Sequence, residues 1–180
     1  MKKFLIFIFL FGCFSIEETI WIKDNDNYDL LYTIYLPSFI TQIVSEDSIM
    51  KNLEDDKIKW KKVETDTING ISKIEIFYEN LNLSELIQKD STIKFFKSKD
   101  YIEFYKFLVL SDTLTKNLLP FITDENYYKI TIFSKKEILQ SNADSISKEK
   151  ITWKIPLRKI YEMKKNDTIK IIFRIALSNK

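Results

Sequence analysis

The stretch Lys59-Trp60-Lys61-Lys62-Val63-Glu64-Thr65-Asp66-Thr67-Ile68, then Asn69-Gly70, then Ile71-Ser72-Lys73-Ile74-Glu75-Ile76-Phe77-Tyr78 reads as a β-hairpin. Asn-Gly between two strand-like runs is the strongest short-range hairpin signal, because both residues tolerate the positive φ of a tight turn. Ile74, Ile76 and Tyr78 alternate with Lys73, Glu75 and Phe77, so one face of the second strand is apolar. The interleaved lysines of Lys57–Lys62 mark a solvated strand face rather than a binding stripe.

Working outward, Trp21–Lys23, the polar turn Asp24-Asn25-Asp26-Asn27 and Tyr28–Leu36 read as strand, turn, strand, with Pro37 as the stop. Ser38–Val44 suits a short helix, and Ser45 is an N-cap for a helix over Glu46–Asp55. Asn82 caps a helix over Leu83–Lys89. Thr92–Lys97 and Tyr101–Leu110 form a second, aromatic-rich hairpin around Ser98-Lys99-Asp100, and Leu114–Leu119 suits a helix. Tyr127–Phe133 and Lys150–Ile155 read as strands, Pro156 opens a helix to Met163, and Ile169–Leu177 is the last strand. The expected class is α+β: a predominantly antiparallel sheet of about eight strands built from hairpins, with three or four short helices packed on it. With two Gly in the chain and a crowd of rings at Phe95, Phe96, Tyr101, Phe104, Tyr105, Phe107, Tyr127 and Tyr128, most of these aromatics are expected in the core.

Composition excludes several chemistries. The chain has 180 residues, no His, one Cys and two Gly. A His-based triad, a His-ligated metal, a CxxC pair, a glycine-rich phosphate loop and an internal disulfide are therefore impossible. A Ser or Thr nucleophile would need a lysine base, and neither SxxK nor GxSxG occurs. Adjacent acids such as Asp55-Asp56 and Asp124-Glu125 point apart in strand or helix, so they are not catalytic dyads. Asp24–Asn27 lacks the Gly and the closing Glu of a calcium loop. We therefore expect no enzyme and no cofactor.

The N-terminus reads as an address. Met1-Lys2-Lys3 is followed by the unbroken apolar run Phe4–Phe11, then Gly12, Cys13 and the polar Ser15-Ile16-Glu17-Glu18. Charged start, apolar stretch and small residue at the junction is the layout of a secretory signal. Eight helical residues span about 12 Å, too short to cross a bilayer. A buried N-terminal strand would explain Phe and Ile but not the lysines in front of them. Leu10-Phe11-Gly12-Cys13 resembles a bacterial lipobox, with Phe11 where a small residue is usual. That resemblance implies cleavage between Gly12 and Cys13 and fatty acylation of Cys13, palmitate being one such chain. The expected organisation is a signal peptide over 1–12, a short tether over 13–18 and a single domain over 19–180. Losing Lys2 and Lys3 lowers the basic count from 28 to 26, against 26 acids. A chain of no net charge is not expected to bind nucleic acid, which asks for a positive excess.

Ile132-Phe133, Ser141-Asn142-Ala143-Asp144 and Ile151-Thr152-Trp153-Lys154-Ile155 together resemble LppM-type bacterial lipoproteins. The pattern is strand, turn with an Asn-Ala-Asp element, and strand carrying a Trp. The resemblance implies that Asn142 and Asp144 shape a turn by bonding their own backbone, and that Trp153 anchors the core. It also implies a lipid or glycolipid ligand at the cell envelope. The expected function is a non-catalytic lipoprotein of the cell membrane or outer membrane, held outside the cytoplasm by Cys13 and binding a lipid, an apolar ligand or a protein partner. The alternative is a structural envelope protein without a small ligand.

Overall fold

A computed structural model describes residues 15–23, 27–43, 46–53, 55–66, 68–108, 122–163 and 167–177. Gly12, Cys13, the Ser45 cap, Asp24–Asp26 and Leu114–Leu119 lie outside these residues. The described strands are β1 (Ser15–Ile22), β2 (Tyr28–Pro37), β3 (Ile58–Asp66), β4 (Ile71–Leu81), β5 (Ile93–Lys97), β6 (Tyr101–Leu108), β7 (Tyr127–Ser134), β8 (Ile138–Ser141), β9 (Ser145–Ile146), β10 (Lys150–Pro156) and β11 (Ile169–Ala176). The described helices are α1 (Ser38–Ile43), α2 (Glu46–Asn52), α3 (Leu83–Lys89) and α4 (Leu157–Tyr161). The fold is mostly β and mostly antiparallel, with short helices, in keeping with the α+β expectation.

The strands form two sheets rather than one. The larger runs β3-β4-β2-β1-β7-β10-β9 and the smaller β5-β6-β11-β8. The edge strands β9 of the large sheet and β8 of the small one are additions to the expected set, and the central β1 begins earlier than expected, at Ser15.

The expected tether over 13–18 is corrected in its larger part. Ser15–Glu18 open β1, which pairs antiparallel with β2 and parallel with β7 at the centre of the large sheet. Two adjacent glutamates disguised the strand. The alternation is nonetheless present, since Ile16, Glu18, Ile20 and Ile22 are buried while Glu17, Thr19 and Trp21 are only half-buried.

The hairpin of β3 and β4 forms, but its loop is longer than expected. Ladder pairing ends at Asp66–Ile71, so Ile68 leaves the strand. Asp66 Oδ1 accepts the Ile68 and Asn69 amides at 3.0 and 3.1 Å, and Oδ2 accepts Asn69 Nδ2 at 2.7 Å. These bonds hold the Asp66 carboxyl below its usual range, the Asn69 side chain being the main cause. Among the described residues of this turn only Gly70, at φ +67°, takes the left-handed conformation, so Asn69-Gly70 does not form the two-residue turn that needs it twice.

The core lies between the inner faces of the sheets, with α1–α3 packed at β2–β4 and α4 at β7 and β10. Tyr28, Leu30, Ile74, Tyr78 and Leu81 are sealed on the large sheet, and Ile102, Phe104, Ile171 and Phe173 face them. Each such side chain contributes about 1.5–3 kcal/mol by leaving water. Phe104 stacks on Phe173 at 4.5 Å and meets Tyr28 edge-on at 6.1 Å. Asn82 caps α3 as expected, in a reciprocal box with Glu85. The expectation that most of the aromatic crowd is core is corrected: of those eight rings Phe104 alone is fully buried, Tyr128 packs partly buried against the core, and Phe95 and Phe96 are 40% and 55% exposed. They sit on β5, an edge strand with a single partner.

Candidate functional site

The outer face of the large sheet carries a row of semi-exposed aromatic rings. Odd-numbered residues of β1, β4 and β7 point away from the core, and this parity gathers Trp21, Phe77 and Phe133. Trp21 stacks on Phe133 at 5.8 Å and 7° between planes, and meets Phe77 edge-on at 6.3 Å. Trp60 of β3 stacks on the far side of Phe77 at 5.4 Å. Lys150 Nζ ends the row, 5.6 Å from the Phe133 ring centre. The four rings therefore form one continuous strip across the sheet.

A cleft of about 720 Å³ lies over the middle of this strip, lined by Trp21, Ile22, Phe77, Phe133 and Ser134 with a charged rim of Lys23, Asp29, Lys135 and Glu149. The rim is fixed by the β1–β2 hairpin. Lys23 Nζ pairs with Asp29 Oδ1 at 2.7 Å, and the same oxygen accepts the Asn80 amide at 2.7 Å. Asn80 takes a left-handed φ of 59° beside the register shift between Tyr28 and Leu30, so the bulge aims its amide at Asp29. Opposite, the Ser134 amide donates to Glu149 O at 2.9 Å and closes the β7–β10 connection. Apolar floor and charged rim suit an amphipathic ligand. The space between the sheets is different in kind: its cavity is about 20 Å³, room for roughly one water.

A buried charge cluster sits beneath the strip, on the inner side of β1. Glu18 is fully buried, and its Oε2 accepts Lys106 Nζ at 2.8 Å and Tyr128 OH at 2.5 Å. Lys106 also donates to Asp90 Oδ2. Asp90 Oδ1 accepts the Thr92 amide at 2.9 Å. Burial, and then the Glu18 charge, hold the Tyr32 and Tyr128 hydroxyls well above their ordinary range. Two carboxylates converge here, but on a lysine between them. Glu18, Asp90 and the shared Lys106 bridge β1, α3 and β6, and neither carboxylate lines the aromatic cleft.

The residues singled out from sequence fall into a clasp rather than a cleft. Asn142 Oδ1 accepts Trp153 Nε1 at 3.0 Å and the Ile172 amide at 2.9 Å, while Nδ2 donates to Lys170 O at 2.8 Å. Asp144 Oδ2 accepts the Lys154 amide at 2.7 Å. The implied self-bonded turn is thus corrected. Both side chains reach other strands, and Asn142 ties β10 of the large sheet to β11 of the small one. Trp153 is 3% exposed and packs 6.1 Å from Phe173. The aromatic cleft was missed because Trp21, Phe77 and Phe133 are far apart in sequence. The available signal was shared parity, an aromatic at the polar phase of three separate strands.

One solved structure has a similar overall fold. This chain has the LppM fold. The match is to the folded domain of Mycobacterium tuberculosis LppM, determined by NMR, with a TM-score of 0.55 and 12% identity over 92% of this chain and 91% of that one. At that identity the likeness to LppM is one of fold. No family model matches the sequence, and no curated protein matches it.

Proposed function

We propose that this chain is a non-catalytic envelope lipoprotein, anchored to a membrane through Cys13, whose domain binds a lipid or glycolipid in the aromatic cleft. The observation that carries the reading is the Trp60–Phe77–Trp21–Phe133 strip, uncovered by any described element. Aromatic rings on the solvent side of a sheet gain stabilisation when a ligand covers them. The lipobox-like Leu10-Phe11-Gly12-Cys13 and the LppM fold support the envelope setting. The mixed rim of Lys23, Asp29, Lys135 and Glu149 supplies donors and acceptors for a polar head group or sugar.

A second reading, a structural protein with no small ligand, is favoured by the small cavity that the described residues leave between the sheets. A cavity of about 20 Å³ admits no acyl chain. The two readings part on one experiment. Lipids copurifying with the membrane-fraction protein are identified by mass spectrometry, and octyl glucoside and short-chain phosphatidylglycerol are titrated below their micelle points. The ligand reading expects an enriched lipid and a tryptophan emission change, both lost in Trp21→Ala. No enrichment and no emission change would leave the structural reading.

A further inference from the structure

The end of the large sheet at which β1 starts carries its own apolar tip. Ser15 pairs with Tyr35 at this end, and the Pro37–Ile71 pair lies two residues further out on the adjacent β2–β4 ladder. Two extended residues span about 7 Å. Beyond that pair comes the turn whose backbone Asp66 fixes, with Ile68 at its crest, 93% exposed. The Ser38 amide donates to Gly70 O at 2.8 Å, which holds the start of α1 against this turn and sets Phe39 beside it. Phe39 and Ile71 are 49% and 45% exposed. Turn crests are ordinarily Asn, Asp, Gly or Ser, because water solvates them. Here three large apolar side chains share one crest. Phe95, Phe96, Leu139 and Ile146 are also exposed, but they belong to the small sheet and to β9.

We propose that this tip, formed by Ile68, Phe39 and Ile71, is inserted into the head-group layer of the bilayer that anchors the protein. The proposal rests on the acylation of Cys13. That residue stands two positions before Ser15, a reach of about 7 Å at most. So short a link keeps the Ser15 end of the sheet against the membrane. The Pro37–Ile71 register then brings Ile71 down to the level of the anchor and carries Ile68 past it. The occupant is lipid because only the anchoring bilayer lies within that reach. Apolar side chains at the interface add to the hold of the acyl chains. The arrangement also orients the cleft. Trp21 is six residues along β1 from Ser15, about 20 Å from the membrane end. A ligand of the cleft is therefore one presented from beyond the anchoring leaflet, not a head group within it.

The test uses the lipidated full chain on phosphatidylethanolamine–phosphatidylglycerol vesicles. Once Cys13 is acylated the protein has no other thiol, so Ile68→Cys and, at the opposite end, Ser147→Cys each take one environment-sensitive dye. Both positions are exposed, and neither side chain packs in the core. The expected result is a blue-shifted dye at 68, quenched by a lipid-borne quencher, and a water-like dye at 147. If the protein floats with vesicles but the dye at 68 stays water-like, tip insertion is overturned while anchoring stands. If the protein does not float, Cys13 is not the anchor and the tip proposal falls with it.

Discussion

Glu18 on β1 and Lys106 on β6 meet between the two sheets, Oε2 to Nζ at 2.8 Å. This pair is a charged joint between the sheets, and Asp90 and Tyr128 complete it. Removing the cation leaves the buried Glu18 carboxylate and the half-buried Asp90 carboxylate without their lysine. Lys106→Met is expected to lose about 3–5 kcal/mol of stability. Glu18→Gln should lose less, because Asp90 still holds the lysine. Urea unfolding monitored by circular dichroism checks both, and a loss under about 1 kcal/mol in Lys106→Met would show the joint to be dispensable.

The Asn142 clasp makes a second prediction. Asn142→Ala strands the Trp153 indole N–H, the Ile172 amide and the Lys170 carbonyl together. A loss of about 2 kcal/mol is expected, which for a domain of this size lowers Tm by roughly 4–8 °C. Asp144→Ala frees the single Lys154 amide near the surface and should cost about 1 kcal/mol. Differential scanning calorimetry ranks the two, and the reverse order would place the clasp elsewhere.

Much of this fold was readable from local chemistry. Asn82 with Glu85, Pro156 before α4 and the alternation in β4 each act within a few residues, so spacing alone reveals them. What escaped was decided at long range. Ser15–Glu18 reads as polar chain because the lysine that neutralises Glu18 is 88 positions away. Phe95 and Phe96 read as core because nothing local says that β5 is an edge strand. Asn142 reads as a turn former because its partners on β10 and β11 are brought in only by sheet packing. The cleft escaped for the same reason, since its rings come from strands joined only in the finished sheet.

Alkaline pH should weaken the fold. Burial, helped by the hydrogen bond to Glu17, pushes the Tyr127 hydroxyl up to about 12, and Tyr32 and Tyr128 are raised further by burial and Glu18. An unfolded tyrosine ionises near pH 10. The folded values are higher, so the stability these groups contribute is complete below about pH 10 and is lost as pH rises through 10 toward 12. Denaturation midpoints measured on both sides of about pH 10 should fall on the alkaline side. Tyrosinate absorbance should show part of the nine tyrosines silent until the chain unfolds.

The turn below β3 and β4 depends on one glycine. Gly70 sits at φ +67°, where an added Cβ is strained although it would meet only Ser38 Oγ, at an ordinary contact distance of 3.9 Å. Gly70→Ala should cost about 1 kcal/mol. Gly70→Asn should cost less, since Asn tolerates that conformation. Thermal melts of the two variants check the order, and equal melts would mean that the backbone relaxes out of the left-handed region.

The envelope assignment is tested most directly by the mass of the N-terminal peptide from the membrane-fraction protein. The expected peptide starts at Cys13, lacks residues 1–12 and carries fatty acyl groups on that cysteine. A peptide that retains Met1, or an unmodified Cys13, would contradict it.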